Sequence, residues 1–228
     1  MVKQAGAATL AGEVAARLRA AVLSGRFHAG QWLRPADLRL EYGVSTTVVR
    51  DALARLAEQH LAVLSPNRGY HVVRFGQQEV QELVEYRIVT ETAALRFSVE
   101  RGGEEWEEAA VAAFRRLRTA EAEHGHGSDA WFVAHGAFHL ALLSACGNAL
   151  LLEASRDALA AGDLFLRWSR RASAAVPAVP SGHRDVDAEH DGILAAALAR
   201  DADRAATLYR EHLQRAAARM AAARRAPA

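Results

Sequence analysis

The strongest constraint on the fold is a pair of short helical patterns separated by one glycine. Pro35 opens the first pattern and Gly43 ends it, because proline suits the first turn of a helix and glycine the residue just beyond the last. Ser45 begins the second pattern as its N-cap, and Val49 and Leu53 follow four residues apart on its apolar face. A helix, a glycine turn and a capped helix together make the helix-turn-helix pattern.

Elements on both sides extend this motif. Leu10, Val14, Leu18 and Val22 recur every four residues and predict an amphipathic helix before it. After it, two short apolar runs enclose the turn-forming residues 65–69, which is the pattern of a β-hairpin. Three helices followed by a hairpin describe a winged helix-turn-helix, which we assign to residues 1–75.

The remainder of the chain, residues 76–228, has the periodicity of helices. Its apolar segments alternate with glycine-rich breaks and with a proline loop at 176–182. They span approximately residues 77–101, 104–124, 129–146, 148–173, 183–200 and 202–224. The predicted fold is therefore mainly α: an N-terminal winged helix-turn-helix followed by an antiparallel α-helical bundle.

The distribution of charge divides the chain at the same place. The whole sequence carries 28 Lys and Arg against 27 Asp and Glu, a net charge of only +1. Residues 1–75 hold 10 basic and 5 acidic side chains, whereas residues 76–228 hold 18 and 22. This asymmetry indicates a nucleic-acid reader attached to a unit that does not touch nucleic acid. We expect the non-specific affinity for double-stranded DNA to reside in residues 1–75.

Two further features exclude whole classes of protein. No apolar run approaches the roughly 18 uncharged residues that cross a bilayer, and the N-terminal segment lacks a signal-peptide core. We therefore expect a cytoplasmic protein without membrane contact. The single cysteine, Cys146, excludes an intrachain disulfide and a cysteine-based zinc site, so a metal would need His and carboxylate ligands.

In a winged helix-turn-helix, the first turn of the second motif helix faces base edges in the major groove. Arg50 is long enough to reach a phosphate or the two acceptors of a guanine. Arg68, freed by Gly69 at the tip of the hairpin, would enter the minor groove or hold a phosphate. The alternative is that both arginines are solvated surface charges. The predicted contacts of the helix are Ser45, Thr46, Thr47 and Arg50.

Residues 10–75 resemble the GntR family of bacterial transcriptional regulators. The resemblance is most specific in the run GVSTTVVRDALARL and in the Asn-Arg-Gly of the hairpin. It implies that Arg34 adds a basic contact near the preceding helix. The chain departs from the family at Thr46, where a base-reading arginine is usual, and at Val48, where proline is common. Because such an arginine contributes about 1–3 kcal/mol of discrimination, the operator of relatives does not carry over.

Four histidines stand out in the helical half. His135 and His139 are four residues apart on one apolar helix, so both rings point to the same side. His190 and His212 lie on the last two helices and would reach the same core. The spacing leaves two interpretations open: a divalent metal site, or histidines satisfied by backbone and carboxylate neighbours.

Residues 77–220 resemble the FCD ligand-binding domain of the FadR subgroup through VEYRIVTETAAL, FHLALLSACGNALL and EHDGILAAALARDADRAATLYREHL. The resemblance implies a metal held by four side chains, which map onto His135, His139, His190 and His212. His135 stands where the family usually has Asp. Imidazole suits zinc, our first expectation, and also nickel or copper. Exchange of a carboxylate for a neutral ring makes the site about one charge more positive, which favours an anionic effector.

Arg87 matches an arginine that FCD domains direct into the effector pocket. By that resemblance, its guanidinium would clamp a small carboxylate through two hydrogen bonds. The alternative is a surface ion pair with Glu91, one helical turn further along. Such a pair contributes only about a few tenths of a kcal/mol.

The resemblance implies a ligand-responsive transcriptional regulator that binds a palindromic operator as a homodimer. Most members are repressors released by a small organic acid, and we expect the same here. The alternative is a metal-dependent hydrolase that uses the histidines. The Glu that serves as general base in HExxH enzymes is absent, because Gly136, Ala137 and Phe138 separate His135 from His139. We therefore expect no enzymatic activity.

Overall fold

The computed structural model describes residues 2–59, 61–74, 76–173 and 183–223. Its contacts divide the chain into two compact units, Met1–Glu79 and Val80–Ala228. Within the described ranges, no helix is long and apolar enough to cross a membrane. The predicted loop at 176–182 lies outside the described residues.

The first unit consists of three helices and a small sheet. Its elements are α1 (Val2–Leu23), β1 (Trp32–Leu33), α2 (Pro35–Tyr42), α3 (Thr46–Glu58), β2 (Ala62–Ser65) and β3 (Gly69–Val72). α1 packs along α3, and Leu18, Val22, Val49 and Leu53 are fully buried. The order of the elements confirms the predicted winged helix-turn-helix.

The turn between α2 and α3 has the predicted capping residues. Pro35 is the first residue of α2, and Gly43 closes that helix in the left-handed conformation at φ 67°, which a residue with a Cβ rarely adopts. Ser45 caps α3, because its Oγ accepts a hydrogen bond from the Val48 N–H at 3.3 Å. The two caps set where α3 begins and therefore which side chains stand in its first turn.

The hairpin is part of a three-stranded antiparallel sheet with the order β1-β3-β2. Leu64 of β2 pairs with Tyr70 of β3. Asn67 turns the tip at φ 61° and Gly69 follows at φ 92°. The sequence does not predict β1, because two residues are too few to show an alternating pattern.

The described residues from 77 onward form six helices, as the sequence predicts. They are α4 (Gln77–Arg101), α5 (Glu104–His124), α6 (Asp129–Leu143), α7 (Ala149–Ser173), α8 (His183–Leu198) and α9 (Ala202–Ala223). α5 packs against α6 and α8, α7 against α6 and α9, and α8 against α9, which confirms a helical bundle. α6 ends at Leu143 instead of the predicted residue 146, because Ser144 caps it and Gly147 turns the chain at φ 67°.

The core of the bundle is largely apolar. Trp106, Phe138 and Leu142 are buried in it, and Trp106 Nε1 donates a hydrogen bond to the Ala141 carbonyl at 3.0 Å. Several polar side chains from α4, α6, α8 and α9 are buried within the same unit. The charged and histidine side chains among them are Arg87, Glu91, His135, His139, Glu189, His190 and His212.

Candidate metal centre and nucleic-acid surface

The residues predicted to contact DNA lie at the surface of the first unit. Arg34 directly precedes α2, the group from Ser45 to Arg50 spans the first turn of α3, and Arg68 lies in the turn between β2 and β3. The exposed side chains are Arg34, Ser45, Thr47, Arg50 and Arg68, and the half-buried residues are Thr46 and Gly69.

α3 presents one apolar and one polar face. Val49 and Leu53 are buried, whereas Thr47 and Arg50 are exposed. Ser45 Oγ already accepts the capping bond, so its O–H is the group that can donate to a phosphate. Direct reading of base edges would therefore fall to Thr47 and Arg50, of which Arg50 has the longer reach.

Four histidines meet in the core of the second unit. His135 and His139 come from α6, His190 from α8 and His212 from α9, and none is more than 4% exposed. One nitrogen of each ring lies within 4.8 Å of the others. The structure thus brings together all four residues of the predicted metal site.

His139 is held from behind by Tyr209 of α9. Its Nδ1 lies 2.8 Å from the Tyr209 hydroxyl, which donates to Glu91 Oε2 at 2.6 Å. The Tyr209 hydroxyl has one hydrogen, which it donates in the bond to Glu91. Its oxygen therefore accepts a hydrogen bond from the Nδ1–H group of His139. The Nε2 atom of His139 therefore carries a lone pair, as a metal ligand must.

His212 is held directly by a carboxylate. Its Nδ1 lies 2.7 Å from Glu189 Oε2, and Arg215 Nη1 lies 3.0 Å from the other oxygen of Glu189. A Glu189 carboxylate accepts a hydrogen bond from the Nδ1–H group of His212, so Nε2 of this neutral ring carries a lone pair. Carboxylate–histidine pairs of this kind orient ligands in metal sites.

His135 has a conflict that a cation would resolve. Its Nε2 lies 3.0 Å from His139 Nε2, and its Nδ1 lies 3.4 Å from Asp163 Oδ1 without a hydrogen bond to any described residue. If neutral His135 carries its hydrogen on Nε2, the lone pair on its Nδ1 faces the carboxylate of Asp163. If it carries the hydrogen on Nδ1 instead, its Nε2 lone pair faces the Nε2 lone pair of His139. Either a second proton on His135 or a cation between the Nε2 atoms removes the conflict.

The charge states of the cluster also suit a cation. Burial, with the neighbouring histidines adding to it, holds the pKa of His139 well below its ordinary value. Burial lowers the pKa of His212 to about 4, although Glu189 acts in the opposite direction. Both rings are neutral at pH 7, which is the form that binds a metal. Burial and the Glu91 carboxylate raise the pKa of Tyr209 well above its ordinary value, so the phenol stays protonated.

The donor set fits a transition metal. Zinc, nickel and copper accept imidazole nitrogen, whereas magnesium and calcium prefer oxygen ligands. The 3.0 Å between the Nε2 atoms of His135 and His139 is about the separation of neighbouring ligands that each lie roughly 2.0–2.1 Å from one ion. The four residues therefore could hold such a metal.

Arg87 is buried in the same unit and pairs with Glu91, to which it donates from Nε at 2.6 Å and from Nη2 at 3.1 Å. The alternative of a surface ion pair is thus right in its partner and wrong in its location, since both side chains lie in the core. Burial acts to lower the pKa of Arg87, but Glu91, Tyr209 and Asp163 raise it above its ordinary value. Gly162 makes room for the guanidinium, because a Cβ there would stand 2.4 Å from Nη1.

The partners that hold His139 and His212 are not evident from the sequence. Tyr209 precedes His212 by three residues, so a shared helical face was a usable signal. However, Tyr209 bonds His139 of another helix, and Glu189 bonds His212 instead of its neighbour His190. These pairings follow from the packing of α6, α8 and α9, which the spacing along one helix does not contain.

Family models match both units of the chain. The model of bacterial regulatory proteins of the gntR family matches residues 10–72, and the FCD domain model matches residues 82–215. The HTH-type transcriptional regulator BphR of Paraburkholderia xenovorans strain LB400 is 35% identical over 203 residues, which cover 87% of this chain and 80% of that protein. The HTH-type transcriptional repressor GlaR of Escherichia coli strain K12 is 31% identical over 196 residues, which cover 84% and 87%.

Solved structures share the fold. McbR/YncC of E. coli superposes with a TM-score of 0.74 at 21% identity, covering 93% of this chain and 97% of that one. A GntR regulator from Rhodococcus sp. RHA1 superposes with a TM-score of 0.71 at 24% identity over the same shares of the two chains. At these identities the likeness concerns the fold, and it confirms a winged helix-turn-helix followed by a helical bundle.

Proposed function

This chain belongs to the gntR family of bacterial regulatory proteins and carries an FCD domain, and from that premise we propose that it is a repressor released from its operator by a small organic acid. Like its relatives, it is a DNA-binding transcriptional regulator and not an enzyme. The observation that carries the proposal is the histidine cluster buried in the same unit as the charged Arg87. A repressor of bacterial DNA acts in the cytoplasm.

The surface of the first unit supports sequence-specific DNA binding. Arg50 would contact a guanine or a phosphate from the first turn of α3, beside the hydroxyls of Ser45, Thr46 and Thr47. The hairpin would add Arg68, which follows the left-handed Asn67 at the tip and precedes Gly69. Arg34 would hold a phosphate near the start of α2. The residues proposed to bind DNA are Arg34, Ser45, Thr46, Thr47, Arg50, Arg68 and Gly69.

We further propose that the chain binds DNA as a homodimer. Each chain presents one reading helix, α3, and one such helix covers about half of the operator of a typical helix-turn-helix repressor. Twofold symmetry would set two copies of α3 on two half-sites of a palindrome. The relatives named as transcriptional regulators are consistent with this mode of action.

The second unit supports a divalent metal held by His135, His139, His190 and His212. FCD domains often bind metals, and a cation between the Nε2 atoms of His135 and His139 is one of the two ways to remove the conflict at His135. Zinc is our first choice, and nickel and copper accept the same donors. A bound metal would supply a Lewis-acid position for a carboxylate of the effector.

Arg87 supports an anionic effector. Glu91 occupies Nε and Nη2 of the guanidinium, so Nη1 is the nitrogen to which a further acceptor would bind. A charged guanidinium in the core binds a carboxylate strongly, because few waters compete for it. For release from DNA, the effector must bind the DNA-incompetent state more tightly than the competent one.

A mobility-shift experiment tests this function with the full-length chain and the DNA upstream of its own gene at low salt. We expect a specific shift that Arg50→Ala/Arg68→Ala abolishes and Arg115→Ala, an exposed arginine of α5, leaves intact. Addition of zinc and a panel of small mono- and dicarboxylates should identify an acid that reverses the shift. Footprints related by twofold symmetry and a dimer in sedimentation would support the palindrome. Failure to shift this DNA at low salt would contradict the proposal.

A further inference from the structure

Arg87, Glu91, Tyr209 and His139 are joined by continuous hydrogen bonds through the core of the second unit, and we call this series of bonds the relay. The bonds run from α4 to α9 and on to α6, at 2.6 Å and 3.1 Å between Arg87 and Glu91, 2.6 Å between Glu91 and Tyr209, and 2.8 Å between Tyr209 and His139. None of the four side chains is more than 6% exposed. Bulk water therefore does not compete for these bonds.

The charge of Arg87 sets the direction of every proton along this chain. Glu91 accepts hydrogen bonds from Arg87 Nε and Nη2 and from the Tyr209 hydroxyl, so its carboxylate acts only as an acceptor. Tyr209 must then donate its single proton to Glu91, and its oxygen must accept from His139 Nδ1. The arginine thus determines, from two side chains away, that the lone pair of His139 lies on Nε2, the atom that faces His135.

We propose that Tyr209 and Glu91 are positioning residues for the metal, which hold the ring of His139 in one orientation and one tautomer. The inference rests on the metal site proposed above and adds a connection to it. Because Glu91 binds both Arg87 and Tyr209, the effector-binding arginine and the metal ligand share one carboxylate. An anion that draws Arg87 away from Glu91 changes the affinity for the metal, and by thermodynamic reciprocity the metal changes the affinity for the anion.

His212 provides an internal comparison. It reaches the same tautomer by a single bond to Glu189, without Tyr209, Glu91 or Arg87. The relay therefore acts on one ligand of the cluster and not on all four. Loss of the Tyr209 hydroxyl should weaken metal binding without abolishing it.

The first experiment compares Tyr209→Phe with Tyr86→Phe, which removes the same atom from an exposed position on α4. Full-length proteins are freed of metal and titrated with zinc against a chromophoric chelator. We expect the zinc affinity of Tyr209→Phe to fall about 10- to 100-fold, the usual range for residues that orient a ligand, and that of Tyr86→Phe to stay at the wild-type value. The visible spectrum of the cobalt-loaded protein should also change in Tyr209→Phe alone, because it reports the orientation of the ligands.

The second experiment separates the relay from a merely structural role. Arg87 makes no hydrogen bond to a histidine among the bonds given above, and its positive charge by itself disfavours a cation at His139 and His212. Arg87→Gln should nevertheless weaken zinc binding, in the direction opposite to the effect of removing that charge. The double variant Tyr209→Phe/Arg87→Gln should bind zinc no more weakly than the single variant with the lower zinc affinity. Both changes interrupt the same series of hydrogen bonds, so their effects should not add. Should Tyr209→Phe fail to fold by circular dichroism, Arg87→Gln alone decides the question.

The outcomes are distinguishable from a failure of the metal site itself. A wild-type chain that binds no zinc, nickel or copper overturns the metal centre and the relay together. Wild-type zinc affinity in both Tyr209→Phe and Arg87→Gln overturns the relay and leaves the metal centre standing. Additive losses in the double variant also overturn it, because independent effects on stability would add.

Discussion

The two units of this chain carry their functional residues in opposite environments. In the first unit, Thr47, Arg50 and Arg68 project from the surface, and their partner would be another molecule. In the second unit, Glu91 and His139 are 0% exposed, and their partners belong to the chain itself. Because of this difference, the effect of a substitution on the free energy of unfolding can be distinguished from its effect on binding.

Loss of an exposed contact leaves no buried polar group without a partner. The fold therefore does not restrict which residue stands at such a position. Thr46 illustrates this, since it replaces an arginine common in the family without any demand from the core. A buried network has no such freedom, because a missing partner leaves a desolvated polar group. Substitution of an exposed contact such as Arg50 in the first unit should therefore change binding and not stability, whereas substitution within the buried network of the second unit should change both.

Removal of the metal is the strongest test of the buried side of this comparison. A ligand that binds only the folded state stabilises it by about 4 kcal/mol when it exceeds its Kd about a thousandfold. Chelation of zinc should lower the free energy of unfolding of the full chain by that order, measured by denaturant titration. The double variant His139→Ala/His212→Ala should be equally stable with and without chelator. Equal stability of the wild type in both conditions would count against a metal that supports the fold.

Truncation of one ligand should have the next largest effect. His139→Ala should lower the zinc affinity by about 100-fold or more, since even residues that only orient a ligand contribute about 10- to 100-fold. His124→Ala, at an exposed position at the end of α5, is the matched control and should bind zinc like the wild type. Isothermal titration measures both. Equal affinities of the two variants would remove His139 from the site.

The exposed side of the comparison is tested at Arg50. Arg50→Ala should reduce operator affinity by about 1–3 kcal/mol, the contribution of an arginine that reads a guanine. Its free energy of unfolding should change by less than about 0.5 kcal/mol, as for most surface positions. Arg115→Ala is the charge-matched control in the other unit. A clear loss of stability in Arg50→Ala would break the proposed separation.

Ser45 should affect both stability and DNA binding, because it is exposed and also caps α3. Ser45→Ala should lower the free energy of unfolding by about 1 kcal/mol, the usual contribution of an N-cap. Thr47→Ala removes a hydroxyl two residues further on and should leave stability unchanged. If thermal or denaturant unfolding shows the same value for both variants, the cap contributes nothing and Ser45 belongs with the DNA contacts alone.

Local patterns predicted the helices well because the interactions that define them are local. Pro35, Gly43 and Ser45 act on backbone groups within about one helical turn of themselves, and each does so in the structure. The strand β1 escaped prediction, since its two residues owe their conformation to pairing with Tyr70 and His71 of β3. The early end of α6 likewise depends on the turn that follows it.

Part of the candidate metal site follows from local sequence patterns, and part depends on how distant helices pack. The spacing of His135 and His139 already requires a common helical face, the helical pattern brought His190 and His212 toward the same core, and the resemblance implied that all four hold a metal. The orientation of His139 and His212 depends on Tyr209, Glu91 and Glu189, which the sequence did not assign to the site. Glu91 and Tyr209 are 118 residues apart, so no periodicity along the chain connects them.

The sequence by itself therefore determined the elements, their caps, the asymmetry of charge and the chemical types of the ligands. These depend on backbone hydrogen bonds within a few residues and on side-chain chemistry, which are properties of short segments. Only the tertiary structure decided that Arg87 and Glu91 pair in the core, and that Tyr209 joins this pair to His139. The physical reason is that burial and long-range hydrogen bonds exist only once helices from distant parts of the chain have packed together.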